Sequence, residues 1–233
     1  MSSKNEKKKN KGKKYRTFSI KRLFYDFVKW TGVIPMAIFF RMKIFRIGKK
    51  EKFKGAIMMS NHIGMLDPIV IQFVYPFRRL WCLAMKELFR SPLLTAFLKG
   101  VNCIPVDRQN VTIDMYHSVA DVLSSGKIVA MFPEGQINFD KEAEIKNFKG
   151  GAALFAILNK VPVIPVYIVK KTKKLERQKI IVGELIHLEN VCGRTPTLAD
   201  LEVISEHLHQ KEKELEQYYL KNIKREKTNA NQG

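Results

Sequence analysis

His62 and Asp67 are the two residues whose types and spacing could most directly do chemistry. His62 comes soon after the apolar run Ala56–Met59, which has the composition of a buried strand, and Asp67 directly precedes Pro68, where a helix can begin. A strand-to-helix turn can bring two such side chains together, so the carboxylate could orient the imidazole as a general base. The alternative is that Asp67 caps the helix, because aspartate is a favoured N-cap residue.

Two other histidines also have an acid five residues later: His207 with Glu212, and His209 with Glu214. Both pairs lie in a strongly charged stretch with helical spacing, where an offset of five places two side chains well apart around the axis. The pair formed by His62 and Asp67 is therefore the one that straddles a predicted turn.

The positive charge of the chain is concentrated at its N-terminus. The 233 residues carry a formal net charge of +20, of which residues 1–54 contribute +15. Residues 1–17 are expected to form a disordered basic arm, since a run of cations with few apolar residues cannot bury a core. This basicity indicates what the N-terminal segment contacts and says little about the fold.

Residues 18–50 mix aromatic, aliphatic and basic side chains, which predicts an amphipathic helix pair at a membrane interface. The uncharged run 30–40 is too short to span a bilayer, which takes roughly 20 apolar residues. A signal peptide fits poorly, because no small-residue cleavage site follows the long basic region. The alternatives are helices packed on the domain and, for the basic arm, a nucleic-acid partner, for which the chain has no recognition motif.

Residues 51–227 alternate between apolar runs of strand length and segments with helical spacing. This predicts an α/β fold with a mostly parallel central sheet flanked by helices. The predicted strands are Ala56–Ser60, Leu80–Met85, Asn102–Val106, Ile128–Phe132, Val163–Val169 and Lys179–Val182. The predicted helices are Pro68–Val74, Glu87–Lys99, Thr112–Ser125, Lys149–Asn159 and a long segment from Thr197 to about Lys227. Residues 228–233 are a tail.

Three polar clusters fall at the ends of predicted strands: Asn61–Asp67, Asp107–Arg108 and Phe132–Gly135. Ligand sites of parallel α/β sheets gather beyond the carboxyl ends of the strands, so these clusters are expected to share one site.

The three cysteines are odd in number and lack metal-ligand spacing, which favours a reduced cytosolic environment. Cys103 lies in an apolar stretch and is interpreted as a buried thiol.

The clusters resemble the four sequence blocks of the glycerolipid acyltransferase family, best known from the 1-acylglycerol-3-phosphate acyltransferases. The blocks cover roughly residues 55–170 and occur in the family's order. They are N-H-x4-D at Asn61–Asp67, a glycine with an apolar run and an arginine at Gly100–Arg108, F-P-E-G at Phe132–Gly135, and V-P-x-x-P-V at Val161–Val166. The third block departs from the family at Ile137, where an arginine that helps to bind a phosphate is usual. This departure leaves the identity of the acyl acceptor open.

The resemblance implies transfer of a fatty acyl group from acyl-CoA or acyl carrier protein to the sn-2 hydroxyl of 1-acylglycerol-3-phosphate, forming phosphatidic acid in phospholipid biosynthesis. His62 would be the general base and Asp67 its orienting acid, with direct transfer and no covalent enzyme intermediate. The acceptor substrate would be bound by four residues: Arg108, Glu134, Gly135 and Lys86.

Each of these binding residues also has a simpler interpretation. Arg108 could pair with Asp107, Lys86 could be a solvated residue at a helix start, and Pro133 with Gly135 could form an ordinary turn after a strand.

Two alternative functions stay open: an acyltransferase for another lyso-lipid acceptor, and a non-catalytic membrane-binding protein of the same fold. No metal and no cofactor besides the acyl donor are expected. The predicted partners are membrane lipids at an anionic bilayer surface and the acyl donor, without nucleic acid. The predicted location is the cytoplasmic face of the cell membrane, as a peripheral or monotopic protein. The sequence leaves the donor, its chain length and the oligomeric state undetermined.

Overall fold

Short apolar runs form the central sheet. The computed structural model describes residues 42–49, 51–107, 112–138, 145, 147–171, 176–188 and 196–224, together with Leu23, Asp26, Phe27, Thr31 and Pro35. The strands in these ranges are β1 (Lys43–Arg46), β2 (Ala56–Ser60), β3 (Leu80–Met85), β4 (Cys103–Val106), β5 (Ile128–Met131), β6 (Val163–Ile168) and β7 (Lys179–Val182). The α-helices are α1 (Asp67–Val70), α2 (Pro92–Gly100), α3 (Ile113–Ser124), α4 (Gly151–Asn159) and α5 (Leu198–Tyr218). Shorter helical turns are Ile71–Val74, Lys86–Phe89 and Tyr219–Lys224.

The strands form one sheet in the order β1-β7-β6-β2-β5-β3-β4. Neighbouring strands run parallel except for β6 and β7, which are antiparallel. The prediction of a mostly parallel sheet flanked by helices is therefore confirmed. Strand β2 lies between β5 and β6 and is buried along its whole length, as expected for a central parallel strand covered on both faces.

The two faces of the sheet bury alternate residues of β2. Ile57 and Met59 contribute to the apolar cluster formed with α3, α4 and α5. Ala56 and Met58 contribute to the opposite cluster, which includes Val70 of α1. Side chains of a strand alternate between faces with a period of two, so packing on both sides fixes the register of β2. The chain leaves this fixed strand at Ser60 and enters the turn that carries His62.

Strand β1 corrects the prediction for residues 18–50, which assigned this whole segment to interfacial helices. Lys43–Arg46 pairs in parallel register with Lys179–Val182 of β7. Ile44 packs on one apolar cluster and Phe45 on another, so neighbouring side chains point to opposite faces as a strand requires. The apolar residues of this stretch extend the sheet, and this tertiary pairing overrides the helical interpretation.

Upstream of β1, the five described residues are helical. Arg79, next to the start of β3, donates from its Nε to Asp26 Oδ1 at 3.1 Å. Leu23 and Phe27 are 69% and 63% exposed. The predicted basic arm (1–17) and tail (228–233) lie outside the described residues. None of the described helices is long and apolar enough to cross a membrane.

The helix predicted between β3 and β4 differs in detail from the observed structure. The stretch predicted as one helix, Glu87–Lys99, is a 3-10 turn followed by α2, which begins at Pro92. Proline lacks an N–H and restricts the residue before it, so it starts a new helix more readily than it continues an old one. The predicted start of the long C-terminal helix is confirmed, because the Thr197 Oγ1 accepts from the Asp200 N–H at 3.2 Å and the Asp200 carboxylate accepts from the Thr197 N–H at 2.8 Å.

Candidate active site

His62 and Asp67 are in direct contact in the turn between β2 and α1. The His62 Nδ1 lies 2.8 Å from the Asp67 Oδ2, and both side chains are buried. The same oxygen accepts the backbone N–H of Ile63 at 2.6 Å and of Gly64 at 2.8 Å. Asp67 Oδ2 thus faces three nitrogens at hydrogen-bond distance, a pattern that suits an ionised carboxylate. The imidazole proton is therefore assigned to Nδ1, which donates to this oxygen. The His62 Nε2 is then the nitrogen that can accept a proton.

The interpretation of Asp67 as a helix cap is wrong. The N-cap of α1 is Leu66, Asp67 is the first helical residue, and no side chain caps this helix. The carboxylate points back to the preceding turn, where it accepts from Ile63 and Gly64. The turn that carries His62 is therefore organised around the same oxygen that orients the imidazole.

The loop after β5 makes hydrogen bonds with both the N–H and the carbonyl of His62. The His62 N–H donates to Glu134 Oε1 at 2.9 Å, and the His62 carbonyl accepts from the Asn138 N–H at 2.6 Å. The imidazole stacks on the Phe132 ring with 4.2 Å between ring centroids. Strands β2 and β5 are parallel neighbours, so their carboxyl ends lie side by side and their following loops meet.

Asn61 anchors the start of the turn to two further elements. Its side-chain Nδ2 donates to the Ile168 carbonyl at 3.0 Å, and its Oδ1 accepts from the Ile168 N–H at 2.7 Å, at the end of β6. Its backbone N–H donates to the Glu212 carboxyl on α5. The histidine therefore follows a residue that is held by the sheet on one side and by a helix on the other.

An apolar pocket of about 190 Å³ opens at the same edge of the sheet, with Phe132 in its wall beside the imidazole. Much of its surface comes from the strands and from α3 and α4: Leu83, Val106, Met115, Met131 and Phe155. Polar atoms are supplied at the rim by Asp107 and Lys149. Apolar walls with a few polar groups at the mouth suit a ligand that has a hydrocarbon part and a polar head.

Two of the predicted substrate-binding residues lie near the pocket. Lys86 forms an ion pair with Asp107, and this hydrogen bond raises the pKa of the Lys86 ammonium, so the side chain stays charged at neutral pH. Gly135 lines the pocket with φ at +71°, and a Cβ there would lie only 3.1 Å from the Lys149 Cε. The backbone conformation therefore favours glycine, whereas the exposed Lys149 side chain would have to shift by only a few tenths of an ångström to make room for a Cβ. Arg108 lies outside the described residues, so its position stays a prediction.

Glu134 has a contact that the sequence did not indicate. Its side chain is 4% exposed, and its Oε1 accepts from the His62 N–H. This bond ties Glu134 to the main chain of the candidate base. A role for Glu134 in binding the acceptor stays a prediction.

Glu212 and Asn138 are contacts of the site that sequence reasoning missed. A signal for Glu212 was available, because it falls four residues after Leu208 and three before Leu215, in the apolar stripe of α5. Burial raises the pKa of the Glu212 carboxyl well above its usual range, and the nearby Glu134 and Glu216 raise it further. The Asn61 N–H acts in the opposite direction and is outweighed.

This raised pKa gives a testable dependence of stability on pH. The folded state retains the Glu212 proton above pH 4.5, the ordinary glutamate pKa, whereas the unfolded chain releases it there. The buried proton therefore contributes fully to the stability of the folded state below pH 4.5. As pH rises toward the folded-state pKa of Glu212, the free energy of unfolding falls by up to about 1.4 kcal/mol per pH unit. Relative to wild type, E212Q is expected to gain stability as pH rises from 5 to 8 in urea unfolding. Parallel stability curves would contradict the assignment of a neutral carboxyl.

The described cysteines do not offer an activated thiol. Burial raises the pKa of Cys82, and it raises the pKa of Cys103 to about 11, so both are protonated at neutral pH. Within the described ranges, no three His, Cys, Asp and Glu side chains come together as metal ligands would. His62, with its Nδ1 held by Asp67, has the arrangement of a group that can transfer protons.

Three comparisons with known proteins bear on the family of this chain. The sequence model of the family described as Acyltransferase matches residues 44–169. The chain is 30% identical over 168 residues to a 1-acyl-sn-glycerol-3-phosphate acyltransferase of Bacillus subtilis (strain 168), an alignment that spans 70% of this chain and 81% of that relative. A protein of the same name from Streptococcus pneumoniae is 29% identical over 111 residues, which is 47% of this chain and 40% of the relative.

The crystal structure of the 1-acyl-sn-glycerophosphate acyltransferase PlsC from Thermotoga maritima superposes with a TM-score of 0.58, at 17% identity, over 84% of this chain and 80% of that one. At this identity the superposition shows a shared fold. The family match covers more than half of the chain, and the Bacillus relative is aligned over most of its length, so the resemblance predicted from the four blocks is confirmed. The chain belongs to the acyltransferase family, and it is an enzyme similar to the 1-acyl-sn-glycerol-3-phosphate acyltransferases.

Proposed function

We propose that this enzyme transfers a fatty acyl group from the thioester of acyl-CoA or acyl carrier protein to the sn-2 hydroxyl of 1-acylglycerol-3-phosphate, forming phosphatidic acid. The observation that carries this proposal is the 2.8 Å contact between His62 Nδ1 and Asp67 Oδ2 beside an apolar pocket. The printed names of the relatives from Bacillus subtilis and Streptococcus pneumoniae support the choice of acceptor.

His62 acts first as general base and then as general acid. The acceptor hydroxyl gives its proton to the His62 Nε2 as its oxygen attacks the thioester carbonyl carbon. The resulting tetrahedral intermediate collapses with cleavage of the C–S bond, and the leaving sulfur takes the proton back from Nε2. The Asp67 carboxylate keeps the other proton on Nδ1 and stabilises the imidazolium between the two steps. The acyl group passes directly from donor to acceptor, and the imidazole ends in its starting state.

Cations at the mouth of the pocket support a phosphorylated acceptor. Lys149 is exposed at the rim, and its Cε and Nζ would lie 3.1 and 3.2 Å from a Cβ on Gly135, which places the ammonium over the F-P-E-G turn. Lys86 brings a second ammonium to the same edge through Asp107. Arg108 would add a guanidinium, which binds phosphate oxygens in pairs. A phosphate could thus be held while the acyl tail of the acceptor meets the apolar wall.

The second candidate function is acyl transfer to a different lyso-lipid, and Ile137 is the observation that favours it. This residue is half-buried and carries no charge at the position where the family usually has an arginine. An acceptor with a zwitterionic or uncharged head would need fewer cations than a phosphomonoester does.

The proposed location is the cytoplasmic face of the membrane, with peripheral or monotopic attachment through the N-terminal segment. The mostly exposed Leu23 and Phe27 would contact the acyl region, and the excess of cations in residues 1–54 would contact anionic headgroups. The same surface would bring the lipid acceptor to the enzyme.

A panel of acceptors tests the proposal. The purified full-length protein is supplied with labelled oleoyl-CoA or oleoyl acyl carrier protein and, in mixed micelles, with 1-acylglycerol-3-phosphate, lysophosphatidylcholine or monoacylglycerol. We expect kcat/KM for 1-acylglycerol-3-phosphate to exceed that for the other two by at least about 10-fold, because binding the phosphomonoester through charged hydrogen bonds contributes roughly 1.5–3 kcal/mol. A preference for either other acceptor would replace the proposed one, and no transfer to any acceptor would contradict the proposed reaction.

A further inference from the structure

A buried acid lies where the apolar stripe of α5 predicts a hydrophobic residue. Glu212 is 0% exposed, and the buried neighbours on its face of the helix are Leu208, His209, Leu215 and, just beyond the helix, Tyr219. A carboxyl group in such a position costs free energy unless it is hydrogen-bonded or neutral. A leucine would avoid this cost, so the glutamate requires an explanation from its contacts.

Glu212 accepts a hydrogen bond from the main chain of the turn that carries His62. Its Oε1 accepts the backbone N–H of Asn61, the residue before His62, across 151 residues of sequence. Its Oε2 makes no hydrogen bond with the described part of the chain. The next N–H, that of His62, donates to Glu134 Oε1 at 2.9 Å. Two carboxyl groups from distant segments therefore hold two consecutive amides at the point where β2 ends.

We propose that Glu212 is a positioning residue, which fixes the Asn61 amide and thereby the placement of His62 against Asp67 and the pocket. This inference rests on the proposed role of His62 as the base. The Asn61 side chain bonds to the main chain of Ile168 in the sheet, so Glu212 supplies the support from the helical layer. Without it, the Asn61 N–H is buried without an acceptor, and the turn loses its support from the helical layer. Misplacement of a catalytic group by about 1 Å can cost on the order of 100-fold in rate.

The charged groups that act on the Glu212 carboxyl are acids, and they favour its neutral form. His209, one turn earlier on α5, is also buried, and its Nε2 lies 3.0 Å from the Ile145 carbonyl. Glu134 approaches from the loop after β5, Glu216 lies one turn later on α5, and the Tyr167 hydroxyl of β6 donates to Glu216 at 2.7 Å. The raised pKa of the Glu212 carboxyl in these surroundings means that a neutral group holds the amide. Glutamine, which is neutral and keeps an acceptor oxygen at Oε1, should therefore replace it, whereas methionine keeps the length and the apolar packing but has no comparable acceptor.

The test compares E212M and E212Q with L208A in the full-length protein. E212M is expected to lower kcat by about 10- to 100-fold with KM changed by less than about 3-fold, and E212Q to stay within about 3-fold of wild type. Leu208 is fully buried on the same helix, and its truncation should cost about 2–5 kcal/mol of stability without loss of the bond to Asn61. L208A should therefore lower Tm while retaining kcat at temperatures well below unfolding. Equal losses of kcat in L208A and E212M would overturn the proposal, as would wild-type kcat in E212M.

Hydrogen exchange gives a second readout that does not depend on activity. In wild type, a peptide covering residues 60–64 should exchange as slowly as peptides from β5, because the buried carboxyl groups of Glu212, Glu134 and Asp67 hold its amides. E212M should speed exchange in that peptide by at least about 10-fold, and L208A should leave its rate relative to β5 unchanged. Fast exchange in wild type would contradict the proposal even if E212M failed to fold. If H62A remained active while the exchange results held, the role of His62 would be wrong and the structural role of Glu212 would stand.

Discussion

Replacement of His62 by alanine is expected to lower kcat for acyl transfer by about 10²- to 10⁴-fold. The imidazole is the group that Asp67 orients, through the 2.8 Å contact with Nδ1, and its Nε2 is left to take the acceptor proton. Neither described cysteine has the low pKa that a substitute nucleophile would need. Removal of the ring leaves the bonds of the residue 62 main chain to Glu134 and Asn138 intact.

The matched control is H207A. His207 also has an acid five residues later, but it lies exposed on α5. Its replacement should leave kcat and KM at wild-type values. The fold of H62A is checked by circular dichroism and by its thermal unfolding midpoint. Turnover by a folded H62A within about 3-fold of wild type would sink the assignment of the base.

Replacement of Asp67 by asparagine is expected to have the second largest effect, a fall in kcat of about 10²- to 10⁴-fold. The asparagine amide oxygen can still accept from Ile63 and Gly64, so the turn is preserved, whereas the charge that stabilises the imidazolium is lost. Alanine at the same position would in addition leave both N–H groups without an acceptor. We expect D67A to lose about 1–3 kcal/mol of stability and D67N to lose less.

Steady-state kinetics and urea unfolding of D67N and D67A separate these two roles of the carboxylate. D121N is the control, since Asp121 lies exposed on α3. A D67N variant with wild-type kcat would show that Asp67 organises the turn without contributing to the chemistry.

The sequence was sufficient for the parts of the fold that depend on local pattern. The runs Ala56–Ser60 and Lys179–Val182 match observed strands at both ends, because their apolar residues are continuous and their flanks are polar. The contact of His62 with Asp67 was predictable because an offset of five residues across a strand-to-helix turn brings two side chains together. The meeting of the polar clusters at one edge of the sheet was predictable, because parallel pairing places the carboxyl ends of neighbouring strands side by side.

The failures concern interactions that depend on distant partners. Residues 43–46 read as part of a helix because their strand partner, β7, lies more than 130 residues away in the sequence. The direction of the Asp67 carboxylate depends on the conformation of the turn before it, which no spacing rule describes. Glu212 was interpreted as one more acid in a charged helix, although its spacing from Leu208 and Leu215 places it in the stripe that packs on the sheet, and its partner Asn61 is distant in sequence.

The most direct test of the account is formation of phosphatidic acid by the purified chain from 1-acylglycerol-3-phosphate and a labelled acyl thioester, followed by mass spectrometry for wild type and H62A side by side. We expect wild type to release one free thiol for each labelled phosphatidic acid formed, without a burst of thiol when the acceptor is omitted, and H62A to form no product above background. A thiol burst without acceptor would contradict direct transfer, and equal product from H62A would contradict the role of His62 as the base.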